Sequence, residues 1–232
     1  MKRSVETTQE IKRKLGQTAA NFVSDGMIVG LGTGSTCAYF ITALIDKKRE
    51  EGLCFKTVAS SEDSKMKALS GGLEILDDNA FVNIDFSVDG ADEIDPDGHL
   101  IKGGGGAFTR EKVVLRSAKR RLIIADESKE VERLGEKNGL PLEVLPFGFA
   151  ATVNELLKRG YQGKQRMHSS GRPFITDNGN FIFDVNFPSY FPSPGEDDII
   201  LKTVSGVIET GFFLEKADIL IGFFDGTFNF KN

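Results

Sequence analysis

Cysteine is scarce in this chain: Cys37 and Cys54 are its only two. They have neither C-x-x-C spacing nor nearby histidines, which excludes a thiolate zinc site and leaves buried, reduced thiols as the reading. Histidine is as rare, at two residues. No apolar run is long enough to cross a bilayer, and the opening MKRSVETTQEIKRK has no apolar core of a secretory signal. The expected compartment is the cytoplasm, without membrane contact. A long basic run is missing too: 29 Lys and Arg stand against 34 Asp and Glu, a formal charge of −5. That argues against a nucleic-acid surface, and an anionic ligand would need a local trap.

What the chain does have is the balance of a soluble globular protein, with 40% hydrophobic and 27% charged residues. Its 232 residues suffice for one large domain, or a main domain and a small one, with a sizeable core.

Ile11, Leu15, Ala19, Phe22 and Val23 recur at helical spacing behind a Thr7/Glu10 capping box, which predicts a first helix ending near Asp25-Gly26. Met27-Ile28-Val29 reads as a strand entering the loop Gly32-Thr33-Gly34-Ser35-Thr36, after which Phe40, Ile41, Leu44 and Ile45 resume a helical pattern. The theme recurs as a strand over 55–59, a loop and helix over 60–70, and a strand over 84–89. A turn-rich stretch through Asp95-Pro96-Asp97-Gly98 leads to the glycines 103–106, a helix carrying Val113, Val114, Leu115 and Ala118, and a strand over 122–125. Strands alternating with helices imply a parallel sheet.

Beyond Gly135 the pattern changes to that of a smaller α+β domain. It predicts a strand over 141–146, a helix over 149–157, and a hairpin of 174–176 with 181–183 around Asn178-Gly179. A long surface loop over 187–198 and a strand over 199–204 follow. Residues 217–222 form a strand of the buried parallel type, returning the chain to the first sheet. The expected fold class is α/β, with a parallel-sheet main domain over 1–136 and 214–232 and the smaller α+β domain over 137–213.

The loop 32–36 sits between strand and helix, where free N–H groups and the helix dipole favour an anion such as phosphate. It lacks the Walker lysine and the full G-x-G-x-x-G spacing, and a plain βα turn is the bland alternative. The second strand ends in Ala59-Ser60-Ser61 rather than an acid, which weakens a dinucleotide reading. Asp89-Gly90-Ala91-Asp92-Glu93 places carboxylates at the ligand-facing end of a strand, for sugar hydroxyls or a metal. With His99 the one nearby histidine and no calcium-loop spacing, a metal is the poorer choice. Lys102 precedes four glycines, whose entropic cost suits close approach to a ligand better than a bare linker. Glu111 then lies near the start of a helix between Arg110 and Lys112, where it could simply favour the dipole. Paired with Lys102, it could instead remove a proton next to a carbonyl while the cation stabilises the oxyanion, the chemistry of aldose–ketose isomerases. Asp126-Glu127-Ser128-Lys129 adds a second cation at the same edge, for phosphate or substrate.

Four ordered motifs, Gly32-Thr33-Gly34-Ser35-Thr36, Asp89-Gly90-Ala91-Asp92-Glu93, Lys102-Gly103-Gly104-Gly105 with Thr109-Arg110-Glu111-Lys112, and Ser128-Lys129, resemble ribose-5-phosphate isomerase of the A type. The resemblance extends over nearly the whole chain, including Thr176-Asp177-Asn178-Gly179-Asn180. It implies a Rossmann-like main domain, no metal or organic cofactor, a homo-oligomer of two or four subunits with the dimer preferred, and a place in the non-oxidative pentose phosphate pathway. By position it implies that Thr33, Gly34, Ser35 and Thr36 hold phosphate. Asp89, Gly90, Ala91, Asp92, Lys102, Gly103, Gly104 and Gly105 would line the sugar site, and Lys129 would contact substrate. Glu111 would be the base, with Asp89 and Lys102 assisting catalysis through an enediolate. Departures are Gly106, where the family commonly has alanine, the long loop 188–198, and a phenylalanine-rich C-terminus. The rival readings are an amino-sugar phosphate deaminase or coenzyme A transferase, and a non-catalytic sugar-phosphate sensor, which would need an output module such as a helix-turn-helix that has no room before Met27.

Overall fold

Thr7 caps the helix Thr8–Ala20 in the computed structural model, which describes residues 7–186 and 190–231. Its side chain accepts from the Glu10 N–H while the Glu10 carboxylate accepts from the Thr7 N–H, the reciprocal box the sequence predicts. The helix stops at Ala20, earlier than Asp25-Gly26; the chain then turns through Gly26 at φ 77°.

The chain divides into two compact units, residues 1–91, 110–129 and 216–232 in the first and residues 92–109 and 130–215 in the second. The second thus takes in 92–109 and 130–136, which the sequence pattern groups with the main domain. The reason is pairing: Glu93–Ile94 pairs with Leu100–Ile101, which pairs with Phe212–Phe213.

The first unit is built on seven strands in the order Phe228–Lys231, Asp218–Gly222, Ala118–Asp126, Ile84–Asp89, Ile28–Leu31, Lys56–Ala59, Glu74–Ile75. All neighbours are parallel except the first two, which form an antiparallel edge pair. This is the α/β, Rossmann-like class, and the strand from 217 onward does rejoin the first sheet. Ala118 is a strand residue rather than a helical one, because the helix Phe108–Arg116 ends two residues earlier.

Ile11, Leu15 and Ala19 of the first helix and Phe40, Ile41 and Leu44 of the helix Ser35–Glu51 close over Val29, Leu31, Phe86, Val88, Leu122 and Ile124. Fully burying one such side chain contributes about 1.5–3 kcal/mol. Gly16 lets the two helices meet: a Cβ there would lie 2.6 Å from the Phe40 backbone nitrogen. A second cluster joins Val114 of the helix Phe108–Arg116 to Val58, Ile84 and Ala118. The strand order reverses at Ile28–Leu31, whose neighbours are the next strand on one side and Ile84–Asp89 on the other. Ligands of such sheets bind at the carboxyl ends beside that reversal.

The second unit carries a four-stranded antiparallel sheet, ordered Val207–Thr210, Leu140–Val144, Phe181–Val185, Gly163–Gln165. Leu140, Leu142, Val144, Leu156, Phe183 and Val185 form its core. Of the strand expected over 199–204, residues 199–202 instead belong to the helix Pro194–Lys202 and 203–204 follow its end; the helix also takes up the end of the expected loop. Pro194 at the first position and Glu196 and Asp197 in the first turn favour the helix start, and Lys202 closes it. Tyr161 donates to Asp197 at 2.8 Å; burial first, and the Asp197 contact second, hold the phenol above its ordinary pKa. The rest of the expected loop includes residues 187–189, which lie outside the described residues.

The expected hairpin is also reduced: only Phe181–Val185 is a regular strand, and Ile175 makes a single bridge to Phe181. Residues 176–180 are organised around Glu143 instead. This fully buried carboxylate accepts from Thr176 Oγ1 at 2.7 Å, Asn180 Nδ2 at 2.9 Å, Asn178 Nδ2 at 3.1 Å and Thr109 Oγ1. Cys37 is buried as expected, but Cys54 is exposed, because it follows the helix-ending Gly52 at a surface turn.

Candidate active site

In the first unit, the strand Ile28–Leu31 runs into Gly32, whose N–H donates to Val88 O at 2.9 Å and whose carbonyl accepts from Ser64 Oγ at 2.7 Å. Gly34 then takes φ 101° and stands at the N-cap of the helix Ser35–Glu51 with no side chain to cap it. First-turn N–H groups of a helix lack intrahelical partners, and glycine leaves them open to an anion. Thr33 is held from the next strand end: its Oγ1 lies 2.9 Å from Ser60 Oγ and donates to Ser61 Oγ at 2.8 Å. Lys12, from the first helix, donates to Ser35 Oγ at 2.9 Å, placing an ammonium at the same loop.

Asp89, 1% exposed, ends the adjacent strand, and its Oδ1 accepts from Gly90 N–H at 2.7 Å, Thr33 N–H at 3.2 Å and Cys37 Sγ at 3.4 Å. The loop 32–36 and the first acid of the Asp89-Gly90-Ala91-Asp92 motif are therefore one hydrogen-bonded assembly at the strand-order reversal. Gly32 makes it possible, since a Cβ there would lie 2.7 Å from Asp89 Cα and closer still to its carboxylate.

Glu111 lies in the first turn of the helix Phe108–Arg116 and is 4% exposed. That burial goes against a carboxylate serving only to favour the dipole from solvent. The helix bridges the neighbouring parallel strands Ile84–Asp89 and Ala118–Asp126, so its first turn belongs at their carboxyl edge. Arg110 supports that placing, since its Nη1 pairs at 2.9 Å with Glu62, the first residue of the helix that starts beyond the strand end Ala59. Of the two cations beside Glu111, Arg110 pairs with Glu62 and Lys112 is buried. Lys129, half-buried, ends the single turn Glu127–Lys129 that follows Ala118–Asp126, also at the carboxyl edge.

In the second unit, Asp92 and the glycine run meet: Asp92 Oδ2 accepts from Gly104 N–H at 2.7 Å. Lys102 is 3% exposed, its backbone N–H donates to Gly211 O at 2.9 Å, and its Nζ stands 5.4 Å from the Phe213 ring centre. Gly103, at φ 113°, has no room for a Cβ between Phe108 and Pro141, and Gly106 N–H donates back to its carbonyl at 3.0 Å to close a tight turn. Gly106 is at φ 82° with the Phe174 ring where a side chain would be, a physical reason for glycine at this position. Asp95, Asp97 and His99 cluster nearby in sequence; Asp95 accepts from His99 N–H at 2.8 Å and lies 3.2 Å from its Nδ1, closing the turn between two short strands.

Sequence reading missed Lys12, Ser60, Ser61 and Glu143. Lys12 carries no local signal, since a lysine on a helix normally faces solvent. In the sequence Ser60-Ser61 reads only as a departure from a dinucleotide site, not as a support for Thr33.

A family model described as ribose 5-phosphate isomerase A (phosphoriboisomerase A) matches residues 56–226. Ribose-5-phosphate isomerase A of Chlamydia caviae is 47% identical over 223 residues, 96% of this chain and 95% of that protein. The structure is similar to that of ribose 5-phosphate isomerase A from Methanocaldococcus jannaschii, with a TM-score of 0.90 and 35% identity over 97% of this chain and 99% of that one. It is similar also to a D-ribose-5-phosphate isomerase solved in complex with phospho-erythronic acid, with a TM-score of 0.91 and 37% identity over 97% and 99% of the two chains.

Proposed function

The chain belongs to the ribose 5-phosphate isomerase A family, and from that premise we propose how its residues interconvert D-ribose 5-phosphate and D-ribulose 5-phosphate. It is an aldose–ketose isomerase of the non-oxidative pentose phosphate pathway, and the deaminase, transferase and sensor readings give way to a similarity that spans the chain.

The phosphate docks on the loop of Thr33, Gly34, Ser35 and Thr36, where helix N–H groups and the Lys12 ammonium offer positive charge. Asp89 exchanges a proton with a sugar oxygen to open the furanose ring. Glu111 takes the C2 proton of the open aldose, the electron pair moves toward O1, and an enediolate forms. Lys102 and the N–H groups of Gly103 and Gly105 stabilise the negative oxygen, while Gly104 lines the sugar with its own N–H held by Asp92. Proton transfer from O2 to O1 and return of the proton from Glu111 to C1 yield the ketose. Asp92 orients a hydroxyl, Gly90 and Ala91 line the sugar, and Lys129 contacts substrate.

The observation that carries this reading is the shared oxygen of Asp89, which ties the anion loop to an acid at the strand-order reversal. A coupled assay with ribose 5-phosphate tests the activity. Lys12→Ala tests the phosphate assignment: KM is expected to rise about tenfold, roughly the 1.5–3 kcal/mol of a charge-assisted hydrogen bond partly offset by water, with kcat within a few-fold. An unchanged KM would remove Lys12 from the phosphate site.

A charged sugar phosphate as substrate supports a cytoplasmic enzyme, and among the described residues no helix is long and apolar enough to cross a membrane. The reading extends to a homo-oligomer, a dimer first, for which exposed apolar side chains of the second unit such as Phe147, at 88%, and Ile199, at 68%, offer contact area. Light scattering is expected to give at least twice the 25.4 kDa chain mass; a monomer at assay concentration would contradict this.

A further inference from the structure

The glycine run poses a physical problem. In the turn 103–106 the central peptide joins Gly104 to Gly105, and neither residue has a side chain to hold it. Rotating that peptide interconverts β-turn types, and where the central residues are glycine the rotation carries no steric penalty. It would also reverse the Gly105 N–H, one of the groups assigned to the developing oxyanion.

One guanidinium opposes that rotation. Arg166 follows the edge strand Gly163–Gln165 and directs Nη1 to the carbonyl oxygens of Gly103 at 2.7 Å and Gly104 at 3.1 Å. Its Nε and Nη2 engage the two carboxylate oxygens of Asp184 at 3.0 and 2.5 Å, and its Cζ lies 5.8 Å from the Phe174 ring centre. Both partners of the ion pair are largely withdrawn from solvent, at 18% and 19% exposure. A guanidinium has five N–H donors in a fixed fork, and most of these are engaged by protein acceptors, which is the arrangement of a clamp rather than of a ligand for substrate.

A peptide unit is planar and trans, so its N–H points opposite to its C=O. Drawing the Gly103 carbonyl toward Arg166 sends the Gly104 N–H the other way, and it is found there on Asp92 Oδ2 at 2.7 Å. Holding the Gly104 carbonyl fixes the Gly105 N–H in the same manner.

We propose that Arg166, held by Asp184, is a positioning residue that locks the central peptide of the 103–106 turn so that the Gly105 N–H is preorganised for the enediolate oxygen. The inference rests on the isomerase reading above and assigns a further residue to it. Preorganised donors contribute because they need no rearrangement as charge develops, so loss of the lock should appear in kcat more than in KM.

Two variants test it. Arg166→Lys keeps the charge beside Asp184 but cannot fork to two carbonyls and a carboxylate together. The double variant Arg166→Leu with Asp184→Leu removes both partners, a change that often leaves stability intact. Both are expected to lose about 10- to 100-fold in kcat per folded molecule, with KM within about threefold, and the double variant to keep a thermal midpoint near the parent's. Parental kcat in either variant, after correction for folded fraction by circular dichroism, overturns the proposal by making the pair merely structural. Because the readout is relative to an active parent and independent of which carboxylate is the base, it can fail while the isomerase reading stands, whereas a parent without activity on ribose 5-phosphate would remove that reading and the proposal with it.

Discussion

Glu111→Gln is expected to lower kcat about a thousandfold while KM stays within a few-fold and the thermal midpoint hardly moves. General acid–base groups contribute about 10²–10⁴ to rate, and a thousandfold loss corresponds to about 4 kcal/mol of barrier. Glutamine matches glutamate in size, so a side chain that is 4% exposed can be exchanged without opening a cavity. The helix Phe108–Arg116 should hold as well, since Arg110 keeps its partner Glu62 and Val114 keeps its cluster. Substrate binding is assigned elsewhere, to the loop 32–36 and the acids, so the loss belongs to the chemical step and should appear equally in kcat and kcat/KM. A coupled assay on the purified variant decides it, and turnover at the parental rate would remove the proton transfer from Glu111.

The second large effect is expected from Gly32→Ala, a change of one methyl. That methyl would sit 2.7 Å from Asp89 Cα and closer to its carboxylate, a separation no real side chain adopts. Relief requires parting the strands Ile28–Leu31 and Ile84–Asp89 at their ends, where Gly32 N–H donates to Val88 O, or expelling the Asp89 carboxylate from the Thr33 and Gly90 N–H groups. The first costs stability, about 1–3 kcal/mol for overpacking a tight interior. The second disassembles the proposed phosphate loop and its acid together, so activity should fall at least about a hundredfold, as catalytic geometry is lost over displacements near 1 Å. Thermal unfolding and the same assay measure both. An alanine variant with parental stability and rate would mean that the contact between Gly32 and Asp89 is not needed.

Much of the first unit was legible because its signals are local. The capping box at Thr7, the strand over 84–89 and the glycine-rich turn after Ile28–Leu31 are written in neighbouring residues, and alternation of strand and helix implies a parallel sheet without knowing which strands are neighbours. Misreadings fell where local signals conflict. Ile199-Ile200-Leu201 is a short apolar run, which periodicity alone cannot assign to helix or strand, and the helix-start signals at Pro194 and Glu196 outweigh it. Residues 174–176 have the composition of a strand, but Glu143 captures Thr176 and the Phe174 ring fills the space beside Gly106, so the ladder does not extend.

By itself, then, the order of residues determined the class of fold, the glycine-rich turn at an uncapped helix start, and which carboxylates and cations are at hand for the proposed proton transfer, since each depends on chemistry within a few residues. Only tertiary structure decided that Asp89 lies against Gly32, that Lys12 reaches Ser35, and that Arg166 grips carbonyls more than sixty positions away. Such contacts are set by strand order and packing, which close long loops of chain and leave no mark on the residues adjoining either partner.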